Sequence, residues 1–232
     1  MCIRDSGRTY GEHREFLEFT LEQHRQLQEW CTEFGIEYST SVWDVTSAKE
    51  ICTLHPSLIK VPSACNLNKR LLEYLCDNYE GEIHLSFGMT LREEEENIVS
   101  FFENKGRNKD LVIYACTSGY PVPFEDICLL EISRINKVFG KRVKSVGFSG
   151  HHLGIAVDSA AVALGAEWIE RHFTLDRTWK GTDHAASLEP DGLRKLGRDC
   201  RAIAKALVYK QQDILEIEKV QRDKLKKNQV KW

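Results

Sequence analysis

The sequence predicts an α/β fold of the (β/α)8 TIM-barrel type that is incomplete, with about six βα units present and the first two strands missing. Three observations predict it. Apolar runs of strand character alternate with helical patterns along the chain, which calls for parallel strands joined by crossover helices. The runs begin roughly 20 to 35 residues apart, enough for one strand and one returning helix. Polar side chains collect where the runs end. The structural alternative is an open doubly wound sheet, because strand count alone does not fix closure.

Taken in order, the strand-like runs are Ile36 to Val42, Ser57 to Pro62, Glu82 to Phe87, Asp110 to Cys116, Lys144 to Ser149, and Glu167 to Phe173. A helix is expected ahead of the first, over about Glu12 to Phe34, with Phe16, Leu17, Phe19, Leu27, Trp30 and Phe34 on one stripe facing the sheet. Ser47-Ala-Lys-Glu50 and Thr90-Leu-Arg-Glu93 read as capping boxes that start helices. Gly35, Gly106 and Gly140 follow helical stretches where a left-handed C-terminal residue is wanted. The division expected is an N-terminus of residues 1–9, opening on MCIRDS and not native to the fold or disordered, a partial barrel over 10–212, and a basic helical tail or start of a linker over 213–232.

Composition narrows the function class. A chain of 232 residues with 42% hydrophobic and 29% charged residues suits one sizeable soluble domain. A net charge of -3 offers nucleic acid no electrostatic attraction, and the basic run from Lys219 to Lys231 reads as a solvated helix end. The eight cysteines are scattered singly with no C-x-x-C pair, as for buried thiols in a reducing compartment. No apolar run approaches the ~20 residues that span a bilayer, and the N-terminus lacks the basic-then-apolar order of a signal peptide. A cytoplasmic protein with neither membrane nor nucleic-acid partners is expected.

In a barrel, functional groups gather at the C-terminal ends of the strands. Thr40 ends the first run, Lys60 and Ser63 the second, Ser86 the third, Thr117 to Tyr120 the fourth, Ser149 to His152 the fifth and His172 the sixth, with Asp183 beyond it. His151 and His172 end adjacent strands and could converge on a divalent ion, leaving open positions for substrate oxygens and water; paired structural histidines are the alternative. Side-chain alternation puts Ser149 and His151 on one side and His152 on the other. His13, His24, His55 and His84 fall in helical or turn contexts that suit solvated or capping roles. Lys60, between Ile59 and Val61, needs an anion for its half-buried ammonium. Hydroxyls at Thr40, Ser63, Ser86 and Ser149 could add donors to phosphate oxygens, although no glycine-rich phosphate loop occurs. Alternatively Lys60 pairs with a barrel carboxylate such as Glu170.

A succession of motifs resembles the N-acetylneuraminate (sialic acid) synthase family from Tyr10-Gly-Glu-His-Arg14 to about Leu207. It runs through Lys60-x-x-Ser63, Ser86-Phe-Gly-Met89, Cys116-Thr-x-x-Tyr-Pro-x-Pro123 and Gly147-Phe-Ser-Gly-His151. It closes with Glu170-x-His-Phe-Thr-Leu-Asp176, Gly181-x-Asp-His184 and Ser187-Leu-Glu-Pro190. The resemblance implies condensation of phosphoenolpyruvate with an open-chain N-acylated amino sugar, N-acetylmannosamine or a modified bacterial analogue, giving a nonulosonic acid and phosphate. It implies a divalent metal, Mn2+ or Mg2+, held by His151 and His172, with Asp183 handling a proton on the aldehyde oxygen. Lys60, Ser63, Ser86, Ser149 and, more weakly, Thr40 would hold phosphoenolpyruvate; Tyr120, Ser118 and Asp183 would face the sugar, Tyr120 and Asp183 counting as catalytic. The full-length enzyme would be a homodimer.

Departures from the family pattern fall unevenly. Cys65 stands where an acidic residue is common, Ser118 where asparagine is usual, Gly150 where aspartate is usual, and Phe87 where threonine is common. They imply a changed acceptor with an unchanged donor. The family's strands bearing a water-positioning glutamate and a donor-binding lysine are not found before Tyr10, nor is the C-terminal antifreeze-like domain, so this fragment alone is expected to be inactive. The rival readings are an inactive barrel remnant binding a sugar phosphate or protein partner, and a metal-dependent aldolase or deoxy-sugar phosphate synthase.

Overall fold

The computed structural model describes residues 9–179, 181 and 183–227; the MCIRDS opening lies outside them. Three helices come first, α1 (Tyr10–Leu17), α2 (Leu21–Glu33) and α3 (Val45–Cys52). Strands and helices then alternate: β1 (Leu58–Val61), α4 (Lys69–Asn78), β2 (Glu82–Ser86), α5 (Arg92–Asn104), β3 (Leu111–Cys116), α6 (Glu131–Phe139), β4 (Ser145–Gly150), α7 (Ala156–Ala163) and β5 (Trp168–Arg171). Helices α8 (Pro190–Ala206) and α9 (Glu216–Leu225) follow. The five strands are parallel and pair in chain order, and the sheet curls into half of a barrel.

Alternation along the strands sorts the sheet into two chemically different faces. Ile59, Val61, Ile83, Leu85, Leu111, Ile113, Val146 and Phe148 point outward into one apolar core with Leu71 and Leu75 of α4, Ile98 and Phe102 of α5, and Ile132 and Phe139 of α6. The residues between them, Lys60, His84, Ser86, Tyr114 and Ser149, are polar, buried and on the concave face. Gly147 lies opposite Tyr114 and Trp168 in the ladder, and a Cβ there would stand 2.6 Å from the Tyr114 ring and 3.0 Å from Trp168 Cβ. The glycine is what lets the tyrosine ring lie across the sheet.

Six expectations need correction. Ile36 to Val42 is not a strand: only an isolated parallel bridge joins Ser41 to Lys60, with Lys60 N–H donating to Thr40 O and Val42 N–H to Lys60 O. Asp44 ends the extended stretch at once by capping α3, its carboxylate accepting from Ser47 N–H at 2.8 Å. The first helix is two helices, because Thr20 and Gln23 form a reciprocal capping box that restarts the chain at Leu21. Its apolar stripe is exposed at Phe16, Leu17, Phe19, Trp30 and Phe34, and of those six residues Leu27 alone packs against the core.

Neither predicted capping box is used: Asp44 and Ser47 cap α3, and Glu94 accepts from Leu91 N–H at the start of α5. Gly35 and Gly106 are left-handed as expected, whereas Gly140 is right-handed at φ -56 and is small because a Cβ would meet Asn136 O. His84, finally, lies in the middle of β2 and is 1% exposed.

The rim after β4 and β5 is anchored by a buried charge pair. Arg171 donates to Asp158 on α7, to the carbonyls of His152 and Gly154, and to Ala186 O in the loop beyond β5. Arg171→Met should therefore leave the fully buried Asp158 without its cation and cost about 3–5 kcal/mol in urea unfolding, while adding Asp158→Leu recovers much of the loss. Gly147→Ala, forced against Tyr114, is expected to cost about 1–3 kcal/mol in the same measurement.

Candidate functional site

Residues on the concave face at the C-terminal ends of the strands make two adjoining corners. The first is built around an ammonium. Lys60 Nζ, in a side chain only 10% exposed, donates to Ser86 Oγ at 2.7 Å and to Val61 O at 3.0 Å, and stands 3.6 Å from Glu170 Oε2. Glu170 Oε1 accepts from Ser149 Oγ at 2.8 Å, so one carboxylate holds both the lysine and the serine. Burial pulls the Lys60 pKa below the ordinary lysine value, and the charge of Glu170 works against that pull. Ser63 Oγ, accepting from Gly88 N–H at 3.0 Å, completes this corner.

The second corner holds the imidazoles. His151 and His172 have ring centres 5.2 Å apart, and the Tyr120 ring lies 4.4 Å from the first and 5.4 Å from the second. His151 Nδ1 is 2.9 Å from Thr117 O, a contact that needs the proton on Nδ1, and against the pull of burial the Cys116 thiol and this carbonyl raise the His151 pKa above the ordinary value. His172 Nδ1 faces Asp183 Oδ2 at 3.9 Å. Burial, then the neighbouring His151, hold the His172 pKa below the ordinary value and favour the neutral ring a metal requires. Among the described residues no three His, Cys, Asp or Glu side chains form a ready metal cage. The pair fits an ion held by two imidazoles and otherwise by water or substrate.

Cys116 joins the corners. Its Sγ is 3.7 Å from Ser63 Oγ. Burial opposes ionisation of this thiol, but His151 and the hydroxyls of Ser63 and Ser149 hold its pKa below the usual cysteine value.

Of the residues singled out from sequence, Lys60, Ser63, Ser86 and Ser149 stand in the first corner, and Tyr120, His151, His172 and Asp183 in the second. Thr40 passes beside Lys60 through its backbone, its carbonyl accepting from Lys60 N–H at 3.0 Å. Ser118 approaches Gly88 and Ser63, for a Cβ on Gly88 would lie 2.4 Å from Ser118 Oγ and 2.6 Å from Ser63 Oγ. A cleft of about 500 Å3 opens on the far side of Ser118, between the strand ends of β2 and β3 and helices α5 and α6, bordered by Phe87, Met89, Glu95, Cys116, Ser118 and Glu131. The alternative partner for Lys60, Glu170, is also present, so the salt bridge and the hydroxyl-lined corner are one arrangement. His152 points away from His151 as alternation requires, its ring against Phe148 and its Nε2 3.0 Å from Arg171 Nη1.

Cys116 and Tyr114 were missed as site residues. Their positions one and three residues before Thr117, on the same parity as the strand-end hydroxyls, are the signal that could have found them.

Two of the four departures face away from the site. Phe87 is buried against Phe139 in the outer core, with ring centres 6.1 Å apart, and a side chain on Gly150 would meet Phe148 and His152 at 2.8 Å. Cys65 Sγ lies 3.2 Å from Trp43 O, and Ser118 borders the cleft.

Residues 3–212 match the NeuB family. The chain is 38% identical over 224 residues to N-acetylneuraminate-9-phosphate synthase of Homo sapiens, which covers 97% of this chain and 61% of that protein. It is 34% identical over 192 residues to N,N'-diacetyllegionaminic acid synthase of Campylobacter jejuni, covering 82% of this chain and 56% of the relative. Among solved structures it resembles N-acetylneuraminic acid synthetase from Leptospira borgpetersenii in complex with citrate, with a TM-score of 0.81, 28% identity, and coverage of 97% of this chain and 79% of that one. The chain thus spans somewhat over half the length of these curated relatives. A half-barrel carrying the motif succession at its strand ends, with a family match over nearly its whole length, belongs to the NeuB family.

Proposed function

We propose that the chain supplies the phosphoenolpyruvate corner and the metal-binding imidazoles of a nonulosonic acid synthase, which condenses phosphoenolpyruvate with an N-acylated amino sugar. The observation that carries this reading is the junction of the two corners on one rim. A buried ammonium with three hydroxyls adjoins a pair of imidazoles with an aromatic ring and a carboxylate beside them.

In the proposed reaction the donor C3 bonds to the aldehyde carbon of the sugar, water adds at the donor C2, and phosphate leaves, giving a 2-keto acid. Lys60, Ser63, Ser86 and Ser149 hold the donor's anionic groups through charge-assisted and hydroxyl hydrogen bonds. Their release from Glu170 and from each other sets them to receive it. Asp183 moves a proton at the aldehyde oxygen, and Tyr120 lines the acceptor side. Burial, followed by the charges of Cys116 and Asp183, raises the Tyr120 pKa, so it acts as a neutral phenol. A bound Mn2+ or Mg2+ on His151 and His172 would polarise the aldehyde as a Lewis acid. The acceptor is N-acetylmannosamine or a modified analogue, with Cys65 and Ser118 as the residues that set the choice. The names of the human and Campylobacter relatives, a 9-phosphate and a diacetylated product, place phosphorylated and diamino sugars in the panel to be assayed for phosphate release with the whole protein.

Lys60→Met is expected to weaken phosphoenolpyruvate binding by about 10- to 100-fold in calorimetry, the loss of one charge-assisted contact. His172→Ala should weaken Mn2+ binding by more than about 10-fold in the same instrument. Mn2+ binding indifferent to His172 would favour the inactive barrel remnant.

A further inference from the structure

A string of contacts below the two corners has no part in the chemistry just described. It begins at the surface, where Lys144 Nζ lies 2.6 Å from Glu82 Oε1. Glu82 Oε2 is 3.4 Å from His84 Nε2, and His84 Nδ1 is 2.7 Å from the Tyr114 hydroxyl. The Tyr114 ring then stands 5.4 Å from Lys60 Nζ. The tautomer follows from the partners. With Nε2 facing a carboxylate and Nδ1 facing a phenol, the neutral ring carries its proton on Nε2, donates to Glu82 and accepts from Tyr114. Burial lowers the His84 pKa and raises that of Tyr114, so neither ring carries charge. Trp168, edge-on to His84 at 4.7 Å, and Gly147, which leaves room for the tyrosine, fix both rings.

We propose that Tyr114, held in plane by His84 and Glu82, is a positioning residue that presents a fixed aromatic face to the Lys60 ammonium and aims it at the anion corner. The inference rests on the reading of Lys60 as the donor-binding cation. An ammonium over an aromatic face is attracted by the ring quadrupole, and the attraction is larger where water is excluded, as it is here. The other groups facing Lys60 are Ser86 and His84 on β2, Cys116 on β3 and Glu170 on β5. Of these Glu170 alone is an anion within 4 Å. When the donor draws Lys60 away from Glu170, the ring stays beside it together with the Val61 carbonyl.

The test is the titration of Lys60 itself, followed by NMR of the 13C-lysine-labelled chain, the resonance assigned by its loss in Lys60→Met. Tyr114→Leu should move the Lys60 pKa down by roughly half to one and a half pH units, the value of a desolvated cation–aromatic contact. Because anion binding falls as the ammonium loses its proton, phosphoenolpyruvate affinity should also begin to fall at a correspondingly lower pH. Tyr114→Phe, which keeps the ring and frees it from His84, should shift both in the same direction by less. A Lys60 titration unchanged in Tyr114→Leu overturns the proposal whatever happens to stability. If that variant does not fold, Tyr114→Phe decides, and a titration and affinity identical to the parent overturn it. Phosphoenolpyruvate binding that survives in Lys60→Met would instead remove the donor corner, leaving the Lys60 titration a valid measure of the Tyr114 contact.

Discussion

The half-barrel is organised around one buried ammonium. Transferring a charge of this kind out of water costs several kcal/mol unless partners replace the lost hydration. Lys60 finds its replacements on four strands: its neighbour Val61 O on β1, Ser86 on β2, the Tyr114 ring on β3 and Glu170 on β5, the last reached also by Ser149 of β4. The curl of the sheet is what brings β1 and β5 within a salt bridge of each other, so the geometry that closes the fold and the geometry that assembles the proposed donor corner are the same.

The neighbouring corner is held by the residues between its own. His151 and His172 face the concave side, while His152 and Arg171, each adjacent in sequence, face the outer side and lock onto Asp158 of α7. Arg171 reaches further, to Ala186 in the loop that carries Asp183. Strand alternation thus gives each imidazole an anchor one position away, and the pair is positioned by a buried ion pair it does not touch.

Much of this was legible because it depends on local pattern. The parity argument separated His151 from His152, the strand ends located both corners, and Lys60 announced its need of an anion by standing between two apolar residues. The parts that were not legible depend on what covers a segment. His84 stands inside the strand run Glu82 to Phe87, against the helical or turn context assigned to it, and its burial comes from Tyr114, Glu82 and Trp168, which surround it from two other strands and its own. The stripe from Phe16 to Phe34 has helical spacing, but periodicity shows only that a face is apolar, not that anything packs on it. The expected capping boxes failed for a related reason. Several Ser, Thr, Asp and Glu residues compete near each helix start, and the one chosen is set by where the preceding loop leaves the sheet.

Parity also decides how the departures from the family pattern should be read. A residue on the outer face meets α5, α6 or a neighbouring ring, and its change is answered by packing; Phe87 against Phe139, and Gly150 beneath Phe148 and His152, are changes of this kind. A residue on the concave face or its loops meets whatever enters the site. Phe87 and Ser118 border the cleft between β2, β3, α5 and α6, whereas Cys65 and Gly150 do not, so the four departures do not carry equal weight as evidence for a new acceptor. The acceptor proposal leans most on Ser118, which shortens a side chain beside Ser63 and the cleft, and then on Cys65, which replaces a charge with a thiol turned to the Trp43 carbonyl. Both changes remove polar reach from the rim while leaving the ammonium and the imidazoles untouched, as expected if donor and metal are kept and only the sugar differs.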